Sequence, residues 1–273
     1  MIKKYKFLIA RRITQISIMV LYVIANVYGI NILMGNLSSS LILKTVPLSD
    51  PYAVLQMFFA GAFISFDIFL GALFILIFYM IVGGRAFCSW VCPVNMITDL
   101  ANFLRRKFGF NQIQKKQPAS RNIRYWVIAI SFVISFFMGI AAFELVSPIS
   151  MVHRGIIFGL GFGWAAMLVI FLFDLFVLKN GWCGHICPLG GFYSLVGRFS
   201  LIRVHHNADN CTACMKCKEV CPESQVLHMV TKTSIPVLSG ECTNCGRCVE
   251  VCDDNALNFS IKNLKKEKEN EVR

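Results

Sequence analysis

Long apolar runs alternate with short polar stretches over the first two thirds of the chain, and after that the pattern changes. Four of the runs are long and apolar enough to cross a bilayer as helices, which takes about 20 residues. From residue 201 onwards the apolar pieces are short and separated by polar residues, as in a small soluble domain. The pattern therefore predicts an all-α, four-helix membrane bundle within residues 1–200, followed by a second domain. The four predicted spans are Ile13–Met34, Leu55–Val82, Tyr125–Val146 and Ile156–Leu178.

The basic residues lie almost entirely on alternate sides of these runs. Of the 27 Lys and Arg residues, 25 fall in the N-terminal tail, in the 83–124 loop and after residue 178. The other two loops contain only Lys44 and Arg154. Because positively charged loops stay in the cytoplasm, we expect four spans in the cytoplasmic (inner) membrane, with both termini cytoplasmic. The net charge of +12 then reflects topology and contact with anionic membrane lipid, and it gives no support for nucleic-acid binding.

The composition adds two facts to this pattern. Hydrophobic residues make up 56% of the chain and charged residues only 15%, against about 25% charged in average soluble proteins, which excludes an ordinary soluble domain of this length. The chain also has 12 cysteines, and all of them fall on or beside the face predicted to be cytoplasmic. In a reducing compartment cysteines act as metal ligands more often than they form disulfides.

Eight of the cysteines form two runs with the same spacing. Residues 211–221 and 242–252 both follow C-x2-C-x2-C-x3-C, the pattern of bacterial two-cluster ferredoxins, in which the fourth Cys of each run binds the other cluster. Structural zinc usually takes two separate Cys pairs, so the spacing favours two [4Fe–4S] clusters over two zinc sites. The expected ligands are Cys211, Cys214, Cys217 and Cys252 for the first cluster, and Cys242, Cys245, Cys248 and Cys221 for the second.

The sequence around these runs fits a ferredoxin-like domain. Short apolar pieces flank the cysteines and suit the small strands and helices of that α+β fold, which needs its metals for stability. We therefore assign residues 201–261 to a small α+β domain with two [4Fe–4S] clusters. The tail, residues 262–273, is nearly all charged or polar, and we expect it to be disordered.

The other four cysteines occur in two C-x3-C-P motifs, each placed directly after an apolar run. The first lies in "GGRAFCSWVCPVN" and the second in "NGWCGHICPLG", and both resemble the end of a ferredoxin run. The stretch "LSDPYAVLQMFF" before the second apolar run also loosely matches "LVSPISMVHRGIIF" before the fourth. These matches predict two copies of a helical hairpin that run the same way through the membrane and are related by an axis along its normal.

Two such motifs are expected to bring four thiolates together. Cysteines four residues apart share one face of a helix, and four thiolates are the ligands of one iron–sulfur cluster. We therefore expect a further redox centre at the cytoplasmic surface of the membrane. Free thiols that exchange with a partner, or cysteines that only pack as small apolar side chains, are the alternatives. The residues concerned are Cys88, Cys92, Cys183 and Cys187.

Ionisable side chains in membrane segments are costly and usually functional. An electron donor dissolved in the bilayer is a quinol, which loses two protons with two electrons and needs a carboxylate or an imidazole near its hydroxyls. Glu144 and His153, on the outer side, are candidates for this role, with Asp67 as a further one. Asp174 is close enough in sequence to Lys179 to pair with it at the interface. Haem is disfavoured, because His153 is the only histidine near a span and the sequence has no C-x-x-C-H.

The C-x3-C-P motifs after the second and fourth runs, the pair of ferredoxin runs, and the connecting stretches "AAFELVSPIS" and "HRGIIFG" resemble the NapH family of membrane ferredoxin-type proteins. The resemblance covers nearly the whole chain. It implies a quinol dehydrogenase component of the periplasmic nitrate reductase system. With a partner iron–sulfur protein, NapG, such a component passes electrons towards c-type cytochrome and molybdenum subunits. It also implies an electron-transfer subunit and not the terminal reductase, since the sequence has no molybdenum, flavin or c-haem motif.

Two other functions stay open at this point. One is that of the related membrane polyferredoxins, which are associated with metal reduction and with oxidase or metalloenzyme maturation. The other is that of a regulatory subunit whose clusters sense redox state. The clusters are expected on the cytoplasmic side and the family's acceptor in the periplasm, so the sequence leaves the route between the two sides unassigned.

Overall fold

The structure is a computed structural model that describes residues 5–29, 33–43, 45–109, 120–158, 161 and 163–261. The tail predicted to be disordered, 262–273, lies outside the described residues. By contacts the chain divides into two compact units, and the domain boundary predicted at residue 200 stays a prediction. The first unit comprises Met1–Ala10, Tyr79–Ala86 and Tyr193–Arg273, and the second comprises Arg11–Phe78 and Phe87–Phe192.

Helices dominate both units, with one small sheet in each. In chain order the α-helices are α1 (Lys6–Tyr28), α2 (Pro51–Phe59), α3 (Phe66–Val82), α4 (Ala86–Trp90), α5 (Val94–Lys107), α6 (Ile123–Met138), α7 (Ala142–Val146), α8 (Pro148–Phe158), α9 (Gly163–Leu172), α10 (Pro188–Val196), α11 (Lys216–Val220) and α12 (Arg247–Glu250). The strands are β1 (Leu33–Gly35), β2 (Ser39–Ile42), β3 (Val46–Ser49), β4 (Ile202–His206) and β5 (Leu257–Ile261). Two π-helical segments, Phe173–Val177 and Trp182–Ile186, come between α9 and α10, and short 3-10 helices cover Gly197–Phe199 and Ser224–Leu227.

The predicted membrane spans are only partly continuous helices. In the described part of the chain, α1 is the one helix long and apolar enough to cross a membrane, with three shorter apolar helices in the other predicted spans. The run Leu55–Val82 is divided between α2 and α3. The run Tyr125–Val146 is interrupted at Gly139, whose φ of 66° caps α6 in the left-handed conformation that glycine adopts without a steric penalty. The expectation of one unbroken helix per run is therefore corrected, and the four-span bundle stays a prediction.

The second unit contains a small sheet that the all-α prediction did not include. Strands β1, β2 and β3 form an antiparallel meander in that order. Its first turn is closed by the Asn36 side chain, which accepts hydrogen bonds from the Ser38 and Ser39 backbone N–H groups at 2.9 and 2.8 Å. An Asn side chain in this arrangement mimics a backbone turn. The loop before α2 is therefore ordered by strand pairing.

The two halves of the second unit repeat one order of elements. Each starts with a short helix that begins at a proline, α2 at Pro51 and α8 at Pro148. Proline suits a first helical position because its missing N–H would have no partner there. A second apolar helix comes next, α3 in one half and α9 in the other, and the C-x3-C-P motif follows. The similarity between the two sequence stretches is thus matched by similar local structure.

In the first unit, strands β4 and β5 pair antiparallel, with Ile202 opposite Ile261 and His206 opposite Leu257. The pairing joins the two ends of the region that contains both C-x2-C-x2-C-x3-C runs. Its core contains apolar side chains together with several of the cysteines. The most buried apolar members are Val204, Leu227, Val237, Val226, Met229, Val230 and Leu257.

Residues 79–86 belong to this unit because a glycine turn packs closely against it. A Cβ on Gly84 would lie 2.1 Å from the carbonyl oxygen of Tyr193 and 2.3 Å from the nitrogen of Gly197, so only glycine fits. The Asn244 side-chain amide donates hydrogen bonds to the carbonyls of Val82 and Ile202 at 2.8 and 2.9 Å. Asn244 lies within the second cysteine run, so the end of α3 is joined to the loop that carries Cys242 and Cys245.

We expect Glu250→Ala to lower the free energy of unfolding by about 1 kcal/mol. The Glu250 carboxylate accepts hydrogen bonds from the backbone N–H groups of Phe7 and Leu8, which belong to the first turn of α1 and have no partner within the helix. A negative charge at this end also favours the helix dipole. Denaturant unfolding of the purified protein measures the change. The matched control is Glu219→Ala at the equivalent, exposed position of the first run, and equal losses in both variants would contradict the capping role.

Candidate iron–sulfur centres

Four cysteines of the first unit line one cavity with about 360 Å³ of empty space. Three of them come from the second run and the fourth comes from the first run, the crossover set that the spacing predicts for one cluster. The remaining lining is mostly apolar, with Val204, Val226, Leu227 and Val237. The structure therefore brings together the predicted second set, Cys242, Cys245, Cys248 and Cys221.

Without a bound metal, the thiols of this set do not readily lose their protons. Burial raises the pKa of Cys242 to about 11, although the nearby Arg203 and Arg85 guanidiniums lower it. Burial also raises the pKa of Cys248 well above its ordinary value, and the charges of the neighbouring cysteines raise it further. Four thiolates are stable side by side in such a place when cationic iron binds them. The donor set thus fits an iron–sulfur cluster.

The other predicted set lies nearer the surface of the same unit. Cys217 is buried, whereas Cys214 is exposed and Cys211 and Cys252 are half-buried. Burial raises the pKa of the Cys217 thiol, and the charges of Cys252, Cys214 and Cys211 also raise it. The other three predicted ligands of the first cluster therefore lie close enough to Cys217 for their charges to affect it.

The two cysteine loops share an unusual backbone. Ala213 and Met215 in the first run have φ of 59°, and the equivalent Asn244 and Gly246 in the second have φ of 46° and 75°. Residues in the left-handed region next to right-handed ones turn successive N–H groups towards a common point, which forms a concave site for anions such as iron–sulfur clusters. Both loops thus have a backbone shape that suits a cluster.

A second cavity, in the second unit, is lined by all four cysteines of the C-x3-C-P motifs. It has about 310 Å³ of empty space, close to the cavity of the ferredoxin region. Burial raises the pKa of the Cys183 thiol well above its ordinary value, and the charges of Cys92, Cys187 and Cys88 raise it further. The structure thus brings together the predicted set Cys88, Cys92, Cys183 and Cys187.

Each C-x3-C-P motif has a buried polar side chain hydrogen-bonded to its backbone. The Gln15 amide donates hydrogen bonds to the carbonyls of Ser89 and Cys92, both at 3.1 Å. The Asp174 carboxylate accepts a hydrogen bond from the Trp182 backbone N–H at 3.1 Å. Gln15 and Asp174 are both fully buried. Asp174 is therefore part of the support of the second motif, which differs from the interfacial pair with Lys179 considered from the sequence.

The cavity lies among packed elements of the second unit, and the expected position of the centre at the cytoplasmic surface of the membrane stays a prediction. Ile149, in a loop predicted to lie on the outer side, forms part of its lining. Burial raises the pKa of Tyr52 to about 12, hydrogen bonds from Ser131 and Gln56 lower it, and the nearby Cys187 thiolate raises it. One residue assigned to the outer side thus lines the cavity of the motif cysteines, because α8, which contains Ile149, forms part of its wall.

The three candidate quinol residues differ in their surroundings. The Glu144 carboxylate accepts hydrogen bonds from the hydroxyls of Ser38, at 2.6 Å, and Ser150. His153 is 3% exposed, its ring packs edge-on against Tyr22 with 4.8 Å between centroids, and its pKa is lowered by burial and by Arg154. Asp67 is exposed in the first turn of α3, where a carboxylate favours the helix dipole.

An ion pair that the sequence analysis missed lies beside the ferredoxin cavity. The Arg85 guanidinium donates to the Glu223 carboxylate at 2.7 Å, and the two side chains are 1% and 2% exposed. Glu223 also lines the cavity of the second cysteine set. Arg85 is the arginine of the "GGRAF" stretch beside the first C-x3-C-P motif, but no pattern in the sequence indicates that it pairs with a residue 138 positions away.

In the ranges that the structure describes, no group of three or more His, Cys, Asp or Glu side chains is placed to hold a single metal ion. A [4Fe–4S] cluster needs a different arrangement of ligands from a single metal ion, because each thiolate binds a different iron of the cube. The two four-cysteine cavities meet that demand, since their ligands surround a space and do not converge on one point.

Known protein families match the chain in the segments that contain these cysteines. The profile described as a 4Fe-4S binding domain matches residues 64–111 and 160–205, which include the two C-x3-C-P motifs. The profile described as a 4Fe-4S dicluster domain matches residues 203–253. The predicted ferredoxin-type domains are therefore confirmed.

Curated proteins match over most of the chain. The methylamine utilization ferredoxin-type protein MauN of Methylorubrum extorquens is 42% identical over 88% of this chain and 84% of its own length. The ferredoxin-type protein NapH of Haemophilus influenzae is 42% identical over 81% of this chain and 77% of its own, and NapH of Escherichia coli is 41% identical over 82% and 78%. No solved structure matches the chain.

Proposed function

The chain belongs to the family of ferredoxin-type iron–sulfur proteins that includes NapH and MauN, and we propose that it is the quinol-oxidising, electron-transfer subunit of a membrane respiratory system. Electrons from quinol pass through its iron–sulfur centres towards a periplasmic nitrate reductase. The observation that carries the proposal is the interior cavity lined by the cysteines of two separate C-x3-C-P motifs. His153, packed against Tyr22, and Glu144, held by Ser38, lie in the same unit.

Three sets of four cysteines hold the proposed clusters. Two sets hold the [4Fe–4S] clusters of the ferredoxin region, and the third, in the second unit, holds a further cluster. When bound, such clusters supply one-electron chemistry. The chain's own part is to hold the thiolates, to fix their loops through Gln15 and Asp174, and to keep water away by burying Cys92 and Cys187.

Oxidation of one quinol to quinone releases two electrons and two protons, and two residues of the second unit, His153 and Glu144, provide proton acceptors. His153 is neutral at physiological pH, because burial lowers its pKa, and takes one proton at a ring nitrogen. Glu144, already held by Ser38 and Ser150, takes the other. Asp67 is exposed at the start of α3 and passes protons on to the outer side.

The proposed surroundings follow from the charge pattern and from the resemblance. The chain lies in the cytoplasmic membrane with four spans and both termini in the cytoplasm, α1 being the helix of full spanning length. Its partners are quinol, a NapG-like iron–sulfur protein, and through it the c-type cytochrome and molybdenum subunits of periplasmic nitrate reductase. The cavity of the third set is lined in part by Ile149, from a loop predicted to lie on the outer side, which supports this arrangement.

A second candidate function rests on the similarity to MauN proteins, which are named for methylamine utilization. Their identity to this chain, 42% and 43%, is close to the 42% and 41% of the NapH proteins, so a role in supplying or maturing a methylamine-oxidising enzyme is the alternative. Nitrate-dependent quinol oxidation by membranes that contain or lack this chain separates the two functions. A chain needed for growth on methylamine and not for nitrate-dependent quinol oxidation would support the second.

Protein purified without oxygen is expected to contain about twelve iron atoms per chain, in three four-iron clusters. Stepwise addition of a quinol analogue should reduce the clusters, because the electron donor and the first acceptor lie in the same unit. Iron and sulfide determination with EPR spectroscopy at each step provides the measurement. Colourless protein, or clusters that respond to dithionite but never to quinol, would contradict the proposed function.

A further inference from the structure

Helix α5, which begins two residues after Cys92, turns polar side chains towards the interior of the second unit and apolar side chains outwards. Asn102 and Arg105 are 2% and 0% exposed, whereas Leu100 and Phe103 are 53% and 54% exposed. A helix on the surface of a soluble protein shows the reverse arrangement. Burial of polar and charged groups is costly unless they make specific bonds, so the bonds of this inner face indicate what the helix does.

The inner face of α5 is connected to the first C-x3-C-P motif through α1. Asp99 forms an ion pair with the Arg12 guanidinium, and Arg12 also donates a hydrogen bond to the Gln15 side-chain oxygen at 2.7 Å. The Gln15 amide in turn donates to the carbonyls of Ser89 and Cys92, both at 3.1 Å. A continuous series of polar contacts therefore runs from Asp99 to the backbone of the first motif.

The next polar residue of this face is connected to the second motif. The Asn102 side-chain amide donates to the side-chain oxygen of Asn180 at 2.6 Å. Asn180 forms the turn before the motif with a φ of 51°, a left-handed conformation that Asn tolerates better than most residues. Its carbonyl accepts a hydrogen bond at 2.7 Å from the backbone N–H of Gly184, which directly follows Cys183. Asn102 thus fixes the turn from which the second motif starts.

The last residue of this face is connected to the same motif by a second route. The Arg105 guanidinium donates to the carbonyls of Asp174 and Leu175 at 3.1 and 3.2 Å. These carbonyls belong to the end of the π-helical segment Phe173–Val177, where backbone acceptors lack partners within the helix. The Asp174 carboxylate accepts from the backbone N–H of Trp182, the residue before Cys183. Arg105 therefore holds the segment whose side chain supports the second motif.

The three polar residues are spaced so that one helix face serves both motifs. Asp99, Asn102 and Arg105 follow each other at intervals of three residues, which places them along one side of a helix. The two motifs are 95 residues apart in the sequence, yet their four thiols line one cavity. Ligands from separate segments must be held at fixed relative positions to bind one cluster. A single rigid helix that contacts the supports of both motifs meets this requirement.

We propose that Asp99, Asn102 and Arg105 are positioning residues that hold the two C-x3-C-P motifs at the spacing required by one shared cluster. The inference rests on the third cluster of the proposed function and adds to it the element that aligns its two halves. The three side chains bind no iron and act through the residues that hydrogen-bond to the motif backbones. Buried polar contacts of this kind fix the register between segments more than they add stability.

The first test compares Arg105→Met with Lys107→Met, which removes a basic side chain from an exposed position of the same helix. The third cluster is identified by the EPR signal that the Cys88→Ser, Cys183→Ser variant lacks. We expect Arg105→Met to speed its loss to an iron chelator about tenfold, the effect of losing a buried hydrogen bond to a charged group. The equilibrium constant for its reduction should also fall about tenfold, or about 59 mV for one electron, because a buried positive charge is removed.

The same measurements on the other clusters and on further variants keep the inference falsifiable. Lys107→Met should match wild type, Arg105→Lys should restore most of the potential, and the ferredoxin clusters should not change in any variant. If Arg105→Met fails to fold, Asn102→Ala replaces it, with Phe103→Ala at an exposed position as the matched control, and faster loss of the third cluster alone is then expected.

The outcomes separate this inference from the proposed function. Wild-type protein that contains only the two ferredoxin clusters would contradict the proposed function. Wild-type protein with a third cluster, together with test variants that leave its spectrum, potential and stability unchanged, would overturn the positioning role alone. Equal changes in all three clusters would also overturn it, because they indicate general destabilisation of the fold.

Discussion

Replacing Cys88 and Cys183 together by serine is expected to abolish quinol-driven reduction while the two ferredoxin clusters stay in place. The two substitutions remove one thiolate from each C-x3-C-P motif, and both residues line the interior cavity of the second unit. Serine hydroxyls are far weaker ligands for iron than thiolates, so the third cluster should be lost. The loss should appear as about four fewer iron atoms per chain.

The measurement is iron content together with EPR spectra recorded after addition of a quinol analogue and after dithionite. Dithionite should still produce the ferredoxin signals in the variant, whereas quinol should produce none. The reciprocal control is Cys214→Ser, at the exposed ligand of the first ferredoxin set, which should lose a ferredoxin signal and keep reduction of the third cluster by quinol. A Cys88→Ser, Cys183→Ser protein with full quinol-driven reduction would refute the role of this cavity.

Arg85→Met is expected to lower the free energy of unfolding by about 3–5 kcal/mol, because it leaves a buried carboxylate without its partner. Arg85 and Glu223 are almost completely buried and 2.7 Å apart, and Glu223 lines the cavity of the second ferredoxin set. The variant should also lose that cluster faster, since the unpaired carboxylate draws water into the cavity. Denaturant unfolding, followed by the visible absorbance of the clusters, measures both effects.

Two further variants test whether pairing and burial are the cause. The double variant Arg85→Met, Glu223→Met removes both charges and should be more stable than Arg85→Met, because no unpaired charge is left in the interior. Lys216→Met removes a cation from the exposed pair with Asp253, which is 2.8 Å long, and should leave stability unchanged. A double variant no more stable than the single one would contradict the explanation.

The ferredoxin ligands could be predicted from the sequence because a cluster imposes its spacing locally. Three thiolates that bind one cube must come from a single tight loop, and the fourth comes from the other run, so regular intervals such as Cys242 to Cys248 identify the chemistry. The cavity that joins Cys221 to the second run agrees with this pattern. The family resemblance, confirmed by relatives at 41–43% identity, had the same basis, namely several local motifs in one order.

The breaks in the apolar runs were harder to predict. Hydropathy averages over a window, so the run Leu55–Val82 looks continuous although the chain separates α2 from α3. The short sheet β1–β3 was missed because its strands have only three or four residues. Its pairing depends on one Asn turn and on contacts that no apolar pattern records.

The amino-acid sequence by itself determined that the chain has ferredoxin-type domains, which intervals its twelve cysteines follow and that its apolar part carries a repeated motif, because these properties depend on residue type and on intervals along the chain. Only the tertiary structure decided that the four cysteines of the C-x3-C-P motifs line one cavity together with Ile149, that Arg85 pairs with Glu223, and that the buried ring of His153 packs against Tyr22. The physical reason is that burial and pairing depend on segments far apart in the chain, and a linear pattern carries no information about which of them pack together.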